Sequence, residues 1–162
     1  MSTTASKVEF RRLELRDLNA IETIERASYR TPWSRSMFAG ELAKPSSISL
    51  GAFDAETGEL VGYLIISRYV DAWHVMNVAV APARRRRKIA SMLLERLFDV
   101  TAGDGQRGYT LEVRVSNDVA IRLYESAGFK PRGIRRGYYT DNREDALIVW
   151  RDPEPPADAD SS

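Results

Sequence analysis

The chain has 162 residues, 43% hydrophobic and 29% charged, with 24 Lys and Arg against 23 Asp and Glu and a formal net charge of +1. One domain with a sizeable core is expected at this length, and the balanced charge argues against binding nucleic acid through the overall field. No cysteine and a single histidine, His74, exclude disulfides, thiolate metal sites, a cysteine nucleophile and a His-rich zinc site, so no metal is expected.

Met1 to Lys7 is polar and lacks the apolar core of a signal peptide. No apolar run reaches the ~20 residues that span a bilayer. The expectation is a cytoplasmic protein with no membrane partner and a disordered start over residues 1–7. Val8, Phe10, Leu13 and Leu15 form a loose strand pattern, and Asp17 is placed to cap a helix over Leu18 to Ser28 whose inner face is Leu18, Ile21 and Ile24. Arg30 to Ser34 is a turn. Ser34 caps a short helix with Met37, Phe38 and Leu42 inward, stopped by Pro45. Ile48–Phe53 and Leu60–Val70 read as a hairpin around the Asp54–Gly58 turn, and Trp73–Val80 as a further strand ended by Pro82.

Ile89, Met92, Leu93 and Leu97 then recur at helical spacing, so a helix runs from about Lys88 to Val100. Thr101–Gly108 is a glycine-containing loop. Tyr109–Val115 alternates as a strand, with Leu111, Val113 and Val115 on one side and Glu112 and Arg114 on the other. Asn117 is an N-cap for a helix through Ala127, and Gly128 is its C′ residue. Phe129–Tyr138 and Ala146–Trp150 are closing strands joined by the loop from Tyr139 to Asp145. The Pro- and Asp-rich tail, residues 151–162, is expected to be disordered, leaving a single domain over residues 8–150. Strands and helices sharing one sheet make an α/β or α+β mixed-sheet fold.

Two places carry chemistry. Between the strand ending at Val80 and the following helix stand Arg84, Arg85, Arg86, Arg87 and Lys88. Cations in a first helical turn oppose the dipole, whereas free N–H groups there suit an anion, so a phosphate or pyrophosphate is the ligand this stretch favours. A solvated basic turn and a nucleic-acid patch are the plainer readings of the same run. It is neither a P-loop nor a dinucleotide fingerprint, since no glycine lies between Gly62 and Gly103. The second place is Glu112, Asn117 and Tyr124. Glu112 taken alone reads as a carboxylate on a solvated strand face, and Tyr124 alone as a core tyrosine. Together they set a carboxylate, an amide and a phenol at a strand end, a helix start and about two turns into that helix.

Four blocks carry a family resemblance that spans Val8 to Trp150: Pro32-Trp33-Ser34; Asn77-Val78-Ala79-Val80 with its basic turn; Leu111-Glu112-Val113-Arg114 through Ser116-Asn117 to Leu123-Tyr124-Glu125 and Gly128-Phe129; and Arg135-Arg136-Gly137-Tyr138-Tyr139 with Arg143-Glu144-Asp145-Ala146. They resemble the GNAT superfamily of N-acetyltransferases and, within it, the RimI type, which acetylates the N-terminal alanine of the eighteenth small-subunit ribosomal protein. The resemblance implies a splayed mixed sheet of about seven strands with about four helices, and acetyl-CoA in the gap between the strands ending at Val80 and Val115. It implies that the backbone of Val78, Ala79 and Val80 pairs with the pantetheine arm. The stretch Arg85, Arg86, Arg87, Lys88, Ile89, Ala90 and Ser91 would hold the pyrophosphate, and Asn117 would also touch the cofactor. Glu112 matches the general base and Tyr124 the general acid. Arg135, Tyr138, Tyr139 and Glu144 would shape the side that receives the N-terminal peptide of a ribosomal protein.

These residue types suit direct acetyl transfer. A peptide α-amine has a pKa near 7.7–8.0, so a carboxylate can take its proton, directly or through water. Backbone donors can stabilise the oxyanion, and a phenol can protonate the leaving thiolate. Transfer to a lysine or a small amine, and an RNA- or ribosome-docking module without catalysis, are the rival readings; docking would not require Glu112, Asn117 and Tyr124. The chain departs from the family loop, Arg/Gln-x-x-Gly-x-Gly/Ala, by carrying Lys88 in place of the first glycine. Placed inside the first helical turn, Lys88 is expected at negative φ, unstrained and pointing outward. His74 is read as a strand residue with a satisfied partner, a second base being the alternative.

Overall fold

The structure, a computed structural model, describes residues 7–85, 88–104 and 107–153. Seven strands form one sheet in the order β1-β2-β3-β4-β5-β7-β6: β1 Val8–Arg12, β2 Ser47–Asp54, β3 Leu60–Tyr69, β4 Ala72–Val80, β5 Tyr109–Arg114, β6 Lys130–Arg135 and β7 Ala146–Arg151. Four α-helices accompany them: α1 Leu18–Ser28, α2 Arg35–Ala43, α3 Ile89–Val100 and α4 Asp118–Ser126. The β4–β5 ladder is parallel, while β1–β2, β2–β3, β5–β7 and β6–β7 are antiparallel. This is the mixed sheet the sequence predicts.

The chain divides into two compact units. Among the described residues, one holds 7–67 together with Met76–Leu94, and the other holds Arg68–Val75 and 95–153. In the first, the apolar stripe of α1 (Leu18, Ile21, Ile24) packs with Phe38 of α2 and with Phe53, Tyr63 and Ile65 of the β2–β3 hairpin. The second is built on aromatic contacts: Phe98 of α3 meets Tyr109 of β5 at 4.9 Å between ring centroids, and Tyr124 of α4 meets Phe129 at 5.6 Å.

Several boundaries differ from the sequence reading for identifiable reasons. β1 stops at Arg12, and Leu15–Asp17 is a turn of 3-10 helix that leaves Leu15 exposed. Asp17 does precede α1, yet its side chain makes no cap bond. It takes a two-pronged contact from Arg11 at 2.9 and 3.0 Å and the Glu14 N–H at 2.7 Å. A guanidinium held bidentate, with both partners charged, takes the carboxylate away from the cap, where only one partner would be charged. β6 ends at Arg135 rather than at Tyr138, because Gly137 turns the chain at φ +59°. The expected disordered ends fall mostly on residues 1–6 and 154–162, outside the described residues. Lys7 accepts a hydrogen bond from the Ala55 N–H, and Arg151 belongs to β7.

Candidate active site

In the first unit, the second half of β4 ends in the residues expected to meet a cofactor. The burial of Met76–Val80 alternates: Asn77 and Ala79 are buried, while Val78 and Val80 are half-buried. The Val78 carbonyl accepts the Tyr29 hydroxyl, and the Val80 carbonyl accepts Arg85 Nε at 3.0 Å. Arg85 also reaches Ser28 Oγ at 3.0 Å. Of the three residues expected to pair with the pantetheine arm, Val78 and Val80 therefore have carbonyls with side-chain partners within this unit. Gly62 on β3 permits close packing against β4, since a Cβ there would lie 3.2 Å from both the Ala79 carbonyl and Ile89 Cγ2.

The basic turn is less uniform than the sequence suggests. Arg84 is committed to Asp54 at 2.9 Å and Glu59 at 3.4 Å, which removes it from the cations around the helix start. Arg86 and Arg87 lie outside the described residues. Lys88 contradicts the expected geometry: its φ is +61°. Its carbonyl accepts the Met92 N–H at 3.0 Å, so it is the residue before α3 and not part of the first turn, and residues in that position have non-helical backbone. Lysine thus adopts a left-handed conformation, which favours glycine, at the position where the family pattern carries its first glycine. Beyond it, Ile89 is buried and offers only its backbone. The N–H groups of Ile89, Ala90 and Ser91, in the first turn of α3, have no acceptor within the helix.

A buried polar hub that the sequence reading missed lies beneath this region. Glu25 is 1% exposed. It accepts the Trp33 N–H at 2.9 Å, the Tyr63 hydroxyl at 2.5 Å and Asn77 Nδ2 at 3.0 Å. Burial, followed by the bond to Glu25, pushes the Tyr63 hydroxyl above its ordinary pKa, so the phenol stays protonated as the donor. The signal was present: Glu25 stands seven residues after Leu18, on the apolar stripe of α1.

In the second unit, β5 alternates in burial, with Tyr109, Leu111 and Val113 inward and Thr110, Glu112 and Arg114 on the other face. The parallel register His74↔Thr110 brings His74 beside that face. Glu112 Oε1 lies 2.7 Å from His74 Nε2, and Glu112 Oε2 lies 3.9 Å from Arg135 Nε. The His74 hydrogen bond holds the Glu112 carboxyl below the usual carboxylate range; burial opposes this, and the charge of Arg135 assists it. An ionised carboxylate can only accept, so Nε2 of His74 carries the proton in this bond. His74 thus has the satisfied partner expected, and that partner is the base candidate itself.

The expected peptide-side residues gather on the same unit. Arg135 lies 5.5 Å from the Tyr138 ring centre, and Tyr138 meets Tyr139 edge-on at 5.1 Å. Burial, with smaller contributions from Tyr138 and the nearby carboxylates, pushes the Tyr139 hydroxyl up to about 12. Burial first and then the charge of Glu112 raise Tyr138. Glu144 accepts the Ser116 N–H at 2.9 Å and Arg114 at 3.2 Å, which occupies both its oxygens in holding the loop.

Asn117 caps α4 as expected, its Oδ1 accepting the Ala120 N–H at 3.1 Å. At the other end, the Gly128 N–H bonds the Glu125 carbonyl and the Phe129 N–H bonds the Tyr124 carbonyl, with Gly128 at φ +96°. This is a Schellman ending, and its usual hydrophobic contact is here the Tyr124–Phe129 ring pair. The helix terminus therefore fixes the ring of the acid candidate, which is 8% exposed.

The profile of the family described as "Acetyltransferase (GNAT) family" matches residues 18–129. The chain is 38% identical over 139 residues to the [ribosomal protein bS18]-alanine N-acetyltransferase of Escherichia coli K12, covering 85% of this chain and 92% of that protein. It is also 38% identical over 130 residues to the N-alpha-acetyltransferase RimI of Mycobacterium tuberculosis, covering 78% of this chain and 79% of the other. The crystal structure of the ribosomal-protein-S18-alanine N-acetyltransferase from Escherichia coli superposes with a TM-score of 0.83 at 35% identity, covering 91% and 95% of the two chains. Ard1 from Thermoplasma volcanium, at 23% identity and a TM-score of 0.82 over 90% and 97%, shares the fold.

Proposed function

Because the chain belongs to the GNAT family of acetyltransferases, we propose that this acetyl-CoA-dependent enzyme acetylates the N-terminal α-amine of an alanine-starting ribosomal protein of the bS18 kind. The substrate is taken from the relatives that match over most of both chains. The observation that carries the chemistry is the Glu112–His74 pair: a half-buried carboxylate kept ionised and oriented by a 2.7 Å bond.

The residues present suit acetyl-CoA. The first-turn N–H groups of Ile89, Ala90 and Ser91, with the Arg85 guanidinium and the exposed Lys88 ammonium, form a donor set for a pyrophosphate. Arg86 and Arg87 belong to the same reading. The strand backbone of Val78, Ala79 and Val80 would take the pantetheine arm, with Tyr29 and Arg85 giving way at the carbonyls. Asn117 has its amide Nδ2 left for the cofactor once Oδ1 has capped α4. Acetyl-CoA supplies the activated acyl group. Glu112 accepts a proton from the peptide ammonium, directly or through one water, while His74 fixes which carboxylate lone pair faces the amine. The neutral amine would displace the thiolate of acetyl-CoA, Tyr124 would give the leaving sulfur its proton, and the proton shed by the acylated nitrogen would restore the phenol. Arg135, Tyr138 and Tyr139 line the peptide side.

Among the described residues no helix is long and apolar enough to cross a membrane. On this reading the enzyme works in the cytoplasm, where its ribosomal-protein substrate is made. The test is mass spectrometry of a peptide panel incubated with the protein and acetyl-CoA. Acetyl groups on the α-amine of alanine-starting peptides are expected; modification confined to internal lysines would sink the assignment.

A further inference from the structure

We propose that Arg114 is the positioning residue that sets peptide affinity, by clasping the loop between β6 and β7 to the end of β5 and so holding Tyr139 and Tyr138 beside Glu112. The proposal rests on the functional reading above, and it gives a role to a residue which that reading leaves unused.

The loop from Gly137 to Asp145 has almost no apolar anchor. Its residues are exposed up to Arg143 except for Tyr139, and Arg143 itself stands at φ +61°. Its shape depends on polar contacts, and these converge on one guanidinium. Arg114 Nη2 donates to Asp141 Oδ2 at 2.9 Å, and Nη1 donates to Asn142 Oδ1 and Glu144 Oε1, each at 3.2 Å. The guanidinium Cζ lies over the Tyr139 ring, 4.1 Å from its centre. Three loop acceptors and one loop ring thus share a single cation. A planar fork with several fixed N–H directions can do this, and an ammonium cannot. Asp141 lies at the surface as a whole residue, yet the paired side chains of Arg114, Asp141 and Glu144 are only 28%, 18% and 15% exposed. They are therefore less screened than an ordinary surface bridge.

The clasp lies next to the chemistry. Arg114 is two residues from Glu112 on a strand, so both side chains leave the same face. From Arg114 the contacts run to Tyr139, from Tyr139 edge-on to Tyr138, from Tyr138 to Arg135, and from Arg135 back to Glu112 at 3.9 Å. Releasing Arg114 frees the two tyrosines and leaves the Glu112–His74 bond in place. Loss of the clasp should therefore weaken peptide binding more than turnover. Just beyond β5, Ser116 N–H to Glu144 and Val115 N–H to the Asp145 carbonyl tie the loop base, and the β5–β7 ladder is untouched, so the strand itself survives the substitution.

The experiment compares the native protein with Arg114→Ala, Arg114→Lys and Asp141→Ala, using acetyl-CoA and an alanine-starting peptide. Expected for Arg114→Ala is a peptide KM raised about tenfold with kcat within about threefold, the pattern of lost uniform binding. Acetyl-CoA affinity by calorimetry should stay at the native value. Hydrogen exchange should rise at the amides of Gly137, Tyr139 and Glu144 and not in α3. Arg114→Lys should fall between, and Asp141→Ala, on the loop side of the same bond, should reproduce the KM change. Native KM and native loop exchange in Arg114→Ala would overturn the assignment, as would a fall in kcat with KM unmoved. A native protein that acetylates no peptide α-amine would instead refute the functional reading, and the loop exchange would still decide whether Arg114 is the clasp.

Discussion

Lys88→Gly tests how the strained loop entry was accommodated. An L-residue in the left-handed region costs about 1–2 kcal/mol, chiefly through its Cβ, and Lys88 sits there at φ +61°. Glycine removes that cost but gains freedom in the unfolded chain, which costs about 0.4–1 kcal/mol. The difference is a net stabilisation of roughly 0.8 kcal/mol, or about 2–3 °C in Tm for a chain of this size. Cofactor binding is a separate question. The ammonium is exposed, and a solvent-exposed pairing contributes about 0–1 kcal/mol, so acetyl-CoA affinity should fall no more than about fivefold. Thermal unfolding without ligand reads the first effect and calorimetric titration of acetyl-CoA the second. Lys88→Ala is the control: it deletes the ammonium but keeps the Cβ, so it should bind like the glycine variant without its gain in Tm. An equal gain from alanine, or none from glycine, would refute the strain argument. Absence of acetyl-CoA binding by the native protein, with tight binding by Lys88→Gly, would mean that lysine disables the loop.

Glu112→Gln should lose about 10²–10⁴-fold in turnover with acetyl-CoA binding intact, and recover in part at high pH where the amine deprotonates unaided; full activity at pH 7 would remove Glu112 from the mechanism. His74→Gln weakens the bond that depresses the Glu112 pKa, so the acidic limb of kcat/KM should move to higher pH. The same depression stabilises the fold above the ordinary carboxylate pKa and is lost as pH falls through the lower folded value, so acid unfolding of His74→Gln should show less of that pH dependence; an unshifted limb would separate His74 from Glu112. Val70 is a β-branched residue, 95% exposed, at φ +56° in the two-residue β3–β4 turn; Val70→Asn suits that backbone and should raise stability by about 0.5–1 kcal/mol in thermal unfolding. Gly128→Ala should lower it by more than about 1 kcal/mol, because φ is +96° and the added Cβ would lie 3.1 Å from the Arg151 side chain.

What could be read from the chain beforehand was what neighbouring residues decide among themselves. Ser34 accepts the Met37 N–H at 3.2 Å, and Asn117 accepts the Ala120 N–H, because a cap is a contract over three residues. Gly128 and Phe129 close α4 for the same reason. The alternation of β5 put Glu112 on the face opposite Leu111 and Val113, since period two leaves no other choice. Asp17 shows where this reasoning stops. Its capping geometry was local, but Arg11, held in place by the β1–β2 pairing, offered two charged donors and took the side chain away.

The residues that stayed illegible are those whose role is set by register between distant segments. Nothing near His74 says that it meets Glu112, 38 positions on; that follows only from the parallel pairing of Trp73 with Tyr109 and His74 with Thr110. One step of slip would turn the ring to the other face. Glu25 makes the point more sharply. A carboxyl group on the apolar stripe of a helix is costly to bury unless donors meet it, and its three donors come from a loop, from β3 and from β4. A sequence position that violates the pattern of its own helix is therefore informative in a particular way. It marks a place where tertiary structure must supply partners, even when it cannot name them. In this chain that rule points to Glu25, whose Asn77 partner immediately precedes Val78. The backbone expected to receive the cofactor is thus anchored from below by the one acidic residue that breaks the stripe of α1.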